Sequence, residues 1–122
     1  MRGVAQLSEL GRLWHVTVTV AGEDIDALVV RSALCRLNEQ QPFLHSLRYS
    51  SRRAEIRYWE EGDTLVDASS LALRVWNEHR ESAGLPRWEV VGLEVLERHL
   101  FLARGMERAT VADLHDVTPL PF

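Results

Sequence analysis

Residues Leu13-Trp14-His15-Val16-Thr17-Val18-Thr19-Val20 alternate without a break. Trp14, Val16, Val18 and Val20 share one side of an extended chain; His15, Thr17 and Thr19 share the other. A period of two in β-branched residues predicts a strand with one apolar face. That face needs a covering layer, so the chain is committed to a layered fold. Ala21-Gly22 stops the strand, and Glu23, Asp24 and Asp26 supply the negative charge that a helix N-terminus favours. Ile25, Leu28, Val29, Val30, Ala33, Leu34, Cys35 and Leu37 then recur at helical spacing. Gln41-Pro42 ends the helix, since the residue before proline disfavours the α region.

Phe43 to Ser50 and Arg53 to Glu60 flank Ser51-Arg52 as a hairpin. With those two residues as the turn, Tyr49 opposes Ala54, Leu47 opposes Ile56 and His45 opposes Tyr58 on a mainly apolar face. On the reverse face Arg48 opposes Glu55, Ser46 opposes Arg57 and Leu44 opposes Trp59. Opposite charges and packed side chains line up as cross-strand pairs prefer, and a one-residue slip destroys the match. Ser-Arg is not a favoured two-residue turn, which leaves a longer turn open. Asp63 or Thr64 caps a second helix with Leu65, Ala68, Ser69, Ala72, Val75, Trp76 and His79 as its buried stripe. Gly84-Leu85-Pro86 closes it. Trp88 to Leu96 reads as the last strand, with Val91, Leu93 and Val95 toward the helices and Val90, Gly92 and Glu94 away from them.

The resulting order, β-α-β-β-α-β, resembles the split βαβ or ferredoxin-like arrangement. Right-handed crossovers then imply an α+β two-layer sandwich, an antiparallel sheet in order 4-1-3-2 and both helices on one face. Residues 1–12 read as a leader, 13–97 as the domain and 98–122 as an extension. Arg98 to Arg104 suits one or two helical turns ended by Gly105. Val111, Leu114, Val117, Leu120 and Phe122 are too apolar for a solvated tail, so the extension is expected to dock on the open sheet face or on a partner subunit.

Composition narrows the function classes. The 122 residues are 46% hydrophobic and 26% charged, which suits one globular domain and excludes a disordered or collagen-like chain. All 14 basic residues are arginine, and isoleucine occurs only at Ile25 and Ile56, a skew expected from a GC-rich, bacterial genome. The arginines therefore say little about phosphate, and a net charge of −4 argues against nucleic acid as a partner. Cys35 stands alone, so disulfide and CxxC chemistry within the chain are excluded, and it is expected to be a buried thiol. No apolar run approaches the ~20 residues of a membrane span, and the first residues lack a signal-peptide core, so the expected location is the cytoplasm.

The uncovered face of the sheet is the candidate site. It is expected to carry His15, Arg48, Arg57, Trp59, Trp88 and Glu94, with Thr17, Ser46, Glu55 and Gly92 between them. Trp and Arg are enriched in interface cores, so Arg48, Arg57, Trp59, Trp88 and Glu94 are the expected interface or ligand residues. His15 near Arg57 and Glu94 is the one candidate acid–base group. His45 is placed on the inner face. No spacing of His, Cys or carboxylates suits a metal, and no glycine-rich phosphate loop or nucleophile elbow occurs, so no cofactor is expected. The loop Ala21-Gly22-Glu23-Asp24 lacks the arginine that acylphosphatases use, and a single central-strand aromatic, Trp59, falls short of the RNA-recognition pattern. The expected function is non-enzymatic: a homodimer formed through the open face or the tail, acting as an accessory or ligand-sensing module. The alternative is a small enzyme with His15 as acid–base and Arg48 or Arg57 holding an anionic substrate.

Overall fold

The first strand, β1 (Leu13–Ala21), lies in the interior of the sheet, with both its edges paired. The computed structural model describes residues 12–41, 43–104 and 117–122. Within them the chain continues as α1 (Ala27–Gln40), β2 (Leu44–Tyr49), β3 (Arg53–Glu61), α2 (Leu65–Ala83), β4 (Glu89–Glu97), α3 (Arg98–Ala103) and β5 (Leu120–Pro121). The protein is thus mixed α+β, with one five-stranded sheet in the order β4-β1-β3-β2-β5. β1 runs antiparallel to β3 and β4, β2 antiparallel to β3, and β5 parallel to β2.

Val16, Val18 and Val20 are completely buried and meet the inner stripes of α1 and α2. Asp26 caps α1 by accepting the Leu28 N–H, and Thr64 caps α2 by accepting that of Asp67. Gly84 ends α2 at φ 69°, a left-handed conformation that favours glycine. The buried stripe of α1 is Val30, Ala33, Leu34 and Leu37, so Cys35, one residue beyond Leu34, turns outward. The expected buried thiol is therefore exposed. Leu28 and Val29 in the first turn also face out, as does Leu65 at the start of α2.

The hairpin register holds for Tyr49–Ala54, Arg48–Glu55, Leu47–Ile56 and Ser46–Arg57, then slips by one residue. Leu44, not His45, lies opposite Tyr58. Phe43 adopts φ 60° and its carbonyl accepts the Trp59 N–H at 3.1 Å, which swings Leu44 into the core at 1% exposure. Burying a leucine contributes about 1.5–3 kcal/mol, more than regular pairing of Leu44 with Trp59 on the outer face offers. The extra residue, His45, is left to the bulge.

A second irregularity corrects the last strand. Its pairing shifts between Thr19 and Val20, so Val90 lies opposite Val20 on the helix side and Val91 bulges outward at 60% exposure. Trp88 precedes the strand and does not continue its alternation. It is 4% exposed in the core, its ring parallel to that of Trp76 at 6.4 Å. Both indole N–H groups are satisfied, Trp88 donating to the Glu23 carbonyl and Trp76 to that of Pro86.

The segment 117–122 does not lie across the open face. Leu120 and Pro121 extend the sheet beside Arg48 and Tyr49, and the Phe122 N–H donates to the Tyr49 carbonyl at 3.0 Å. Asn38 on α1 donates to the Val117 carbonyl, and Arg53 lies 4.2 Å over the Phe122 ring. Val111 and Leu114 lie outside the described residues.

Candidate functional site

On the side away from α1 and α2, β1 presents His15, Thr17 and Thr19. The register places Trp59 and Leu96 beside His15, Arg57 and Glu94 beside Thr17, and Glu55 and Gly92 beside Thr19. Gly92 suits this closeness, since an added Cβ would stand 3.2 Å from that of Thr19 and push it aside by a few tenths of an ångström. Position 15 was expected to face solvent. It is 2% exposed, because β4 ends at Glu97 and the chain folds straight back as α3 over this end of the sheet.

The residue that covers this end of the face is Phe101, itself 1% exposed. Its ring stacks on the His15 imidazole at 3.8 Å and 22°. Trp59 meets both rings edge-on, at 5.0 Å from His15 and 5.2 Å from Phe101. His45, which the bulge delivers to this side, completes the group: its Nδ1 lies 2.8 Å from His15 Nε2. Four rings from β1, β2, β3 and α3 thus form one packed cluster.

Its electrostatics follow from burial. Loss of solvent, then repulsion from His45 and Arg57, pushes His15 down to about 3, so the imidazole is neutral at physiological pH. The short contact with His45 then joins one ring N–H donor to one ring acceptor. A buried neutral histidine stacked under phenylalanine is out of reach of a dissolved substrate. The cluster packs α3 onto the sheet.

The other candidates are scattered around it. Trp59 is half-buried as part of the cluster. Arg57 holds Glu55 at 3.1 Å on its own strand, and that carboxylate repels an anion approaching it. Arg48 is exposed between Glu55 on β3 and Leu120 on β5. Glu94 pairs loosely with Arg104 at 3.6 Å, away from His15. Trp88 is not on this face at all. Sequence reasoning missed Phe101 and misplaced His45. Among the apolar residues of Arg98–Arg104, Leu100 and Leu102 are 57% and 53% exposed, and nothing in the local pattern singles out the ring between them.

A cleft of about 290 Å³ opens elsewhere, between the β1–α1 loop and the residues leading into β4. Ala21, Gly22, Glu23, Ile25, Arg87, Trp88 and Glu89 line it, and its two carboxylates oppose its single guanidinium. Among the described residues no group of three His, Cys, Asp or Glu could hold a metal ion, and no helix is long and apolar enough to cross a membrane.

No curated protein and no solved structure matches the chain. A family model does match, over residues 13–112, a span that takes in all four rings of the cluster and leaves β5 outside. The chain belongs to that family, DUF8830, a domain of unknown function.

Proposed function

We propose that the chain is a ferredoxin-like βαββαβ sandwich that works without catalysis, as a homo-oligomeric accessory or ligand-sensing module of the cytoplasm. The ferredoxin-like reading is supported by the spatial order β4-β1-β3-β2, with both long helices against one face of the sheet. The observation that carries the functional reading is that the protein's own Phe101 covers the His15 end of the opposite face and leaves His15 2% exposed. A pocket enzyme needs a concave, wet face with an accessible acid–base group at its base. A packed cluster of rings around a neutral His15 favours a structural face and a role in association.

Native mass spectrometry of the purified full chain is the test, because it reports subunit number and retained small molecules together. The expected result is a homo-oligomer. A monomer, or turnover of a substrate that His15→Gln abolishes without changing the melting temperature, overturns the reading.

A further inference from the structure

The two edges of the sheet are treated differently. On the outer side of β2, Leu120 and Pro121 are already paired, and Pro121 has no N–H with which to recruit another strand. On the outer side of β4 no strand is present among the described residues. An unpaired edge presents a row of free N–H and C=O groups, which proteins guard with charged side chains, proline, bulges, short strands or a covering segment. β4 has nine residues and no proline, and its charged side chains are Glu89, Glu94 and Glu97. Its one irregularity lies at Val91, near the start, and the pairing from Gly92 to Glu97 is regular.

The flank of α2 beside this edge is apolar as well. Ala68, Ala72, Val75 and Trp76 face the sheet, and His79 and Ser82 contact Gln40 of α1, which locates α1 on one flank of the helix. At about 100° per residue, Leu73 and Val66 fall roughly 100° and 120° round from Ala72 on the opposite flank. They are 49% and 72% exposed. α2 lies chiefly over β4, so this second flank overhangs the outer edge of β4. Leu93, opposite the core residue Val18 and therefore on the helix side of the sheet, is 37% exposed at that edge. Val66, Leu73 and Leu93 form an apolar band beside a strand edge that is unpaired among the described residues.

We propose that this band and the β4 edge are the surface through which two copies of the chain associate, by antiparallel pairing of β4 with β4. The proposal rests on the homo-oligomeric reading and names its interface. A second copy is the occupant that the charges fit. The edge strand carries Glu89, Glu94 and Glu97, which alone would call for a cationic partner. Two of the three bring their own counter-ion: Arg12 donates to Glu97 at 2.7 and 3.0 Å, and Arg104 lies 3.6 Å from Glu94. What the edge offers is therefore apolar contact and backbone hydrogen bonds, both of which an identical strand supplies.

Geometry points the same way. Two identical antiparallel strands are related by a two-fold axis, so any patch on the axis is self-complementary. Pairing centred on Leu93 sets Leu93 against its own copy, Val91 against Val95 and Glu94 against Gly92. Glu89 then meets Glu97, the carboxylate that Arg12 neutralises. The same axis places both α2 helices on one side of the joined sheet. Each α2 straddles β4 and β1, so the two helix axes lie about two strand spacings apart, roughly 10 Å, which is packing distance and brings the Val66 and Leu73 flanks together.

The test uses the full chain. Leu73→Arg and Leu93→Arg change side chains that are exposed in the isolated subunit, so each should keep its far-ultraviolet circular dichroism. Each is expected to raise the dimer dissociation constant at least 100-fold in sedimentation equilibrium. In a Cys35→Ser background, Leu93→Cys should yield a covalent dimer on mild oxidation, since the two thiols would face each other across the axis. If the wild-type chain is a dimer and both arginine variants remain equally tight dimers, the β4 interface is overturned and the homo-oligomeric reading stands. A monomeric wild-type chain overturns both.

Discussion

Acid should loosen this fold through one histidine. His15 sits at about 3 in the folded protein, against 6.5 for a solvated imidazole. The folded value lies below the unfolded one, so between these limits the unfolded chain binds the proton and the folded chain does not. Stability is therefore full above pH 6.5 and falls as the pH drops toward 3, with a slope of about 1.4 kcal/mol per pH unit. Going from pH 7.5 to pH 5.0 crosses about 1.5 units of that window, a loss of about 2 kcal/mol. That is a substantial share of the roughly 5–15 kcal/mol that holds a typical domain together. Urea unfolding followed by tryptophan fluorescence, at fixed protein concentration because association adds to apparent stability, measures it. The informative quantity is the difference between wild type and His15→Gln, since Gln cannot titrate and other groups cancel. Wild type should lose about 2 kcal/mol more than the variant between the two pH values. Because burial is the largest cause of the shift, Arg57→Gln should leave most of the effect in place. Equal losses in wild type and His15→Gln would refute the account and mean that the imidazole is already charged, or wetted, in the folded state.

Phe101→Ala removes the one buried side chain of α3. It should cost about 3 kcal/mol of stability and render the amides of residues 98–103 fast in hydrogen exchange, while those of β1 and β3 stay protected. Tyr58 is fully buried, and its hydroxyl has no hydrogen-bond partner among the described residues. Burial, with Glu60 and Glu78 adding to it, holds its ionisation well above the ordinary phenol range. Tyr58→Phe deletes an unsatisfied polar atom, so thermal denaturation should show a gain of about 1 kcal/mol where most core substitutions lose.

The backbone plan was legible because it rests on local periodicity. The alternation of Leu13 to Val20, the charge-matched pairs Arg48–Glu55 and Ser46–Arg57, and the stops at Gln41 and Gly84 each report their own neighbourhood. Together they determine five segments and the layer that covers one face of the sheet. The candidate site was illegible for the opposite reason. Each misplaced residue, His45, Val91 or Trp88, lies where a strand begins or bulges, and one residue of slip exchanges inside for outside. Whether a strand slips is decided by what its side chains gain elsewhere: Leu44 gains a core contact that only the assembled helices and sheet provide. The closure of the open face is more distant still. Phe101 meets His15 from the far end of the domain sequence, and no pattern in either segment encodes the other. The sequence by itself determined which segments are strands and helices and which face of β1 is apolar. The tertiary structure alone decided that His15 is buried, neutral and held beneath a phenylalanine, because burial and pKa belong to the surroundings of a residue and not to its neighbours in the chain.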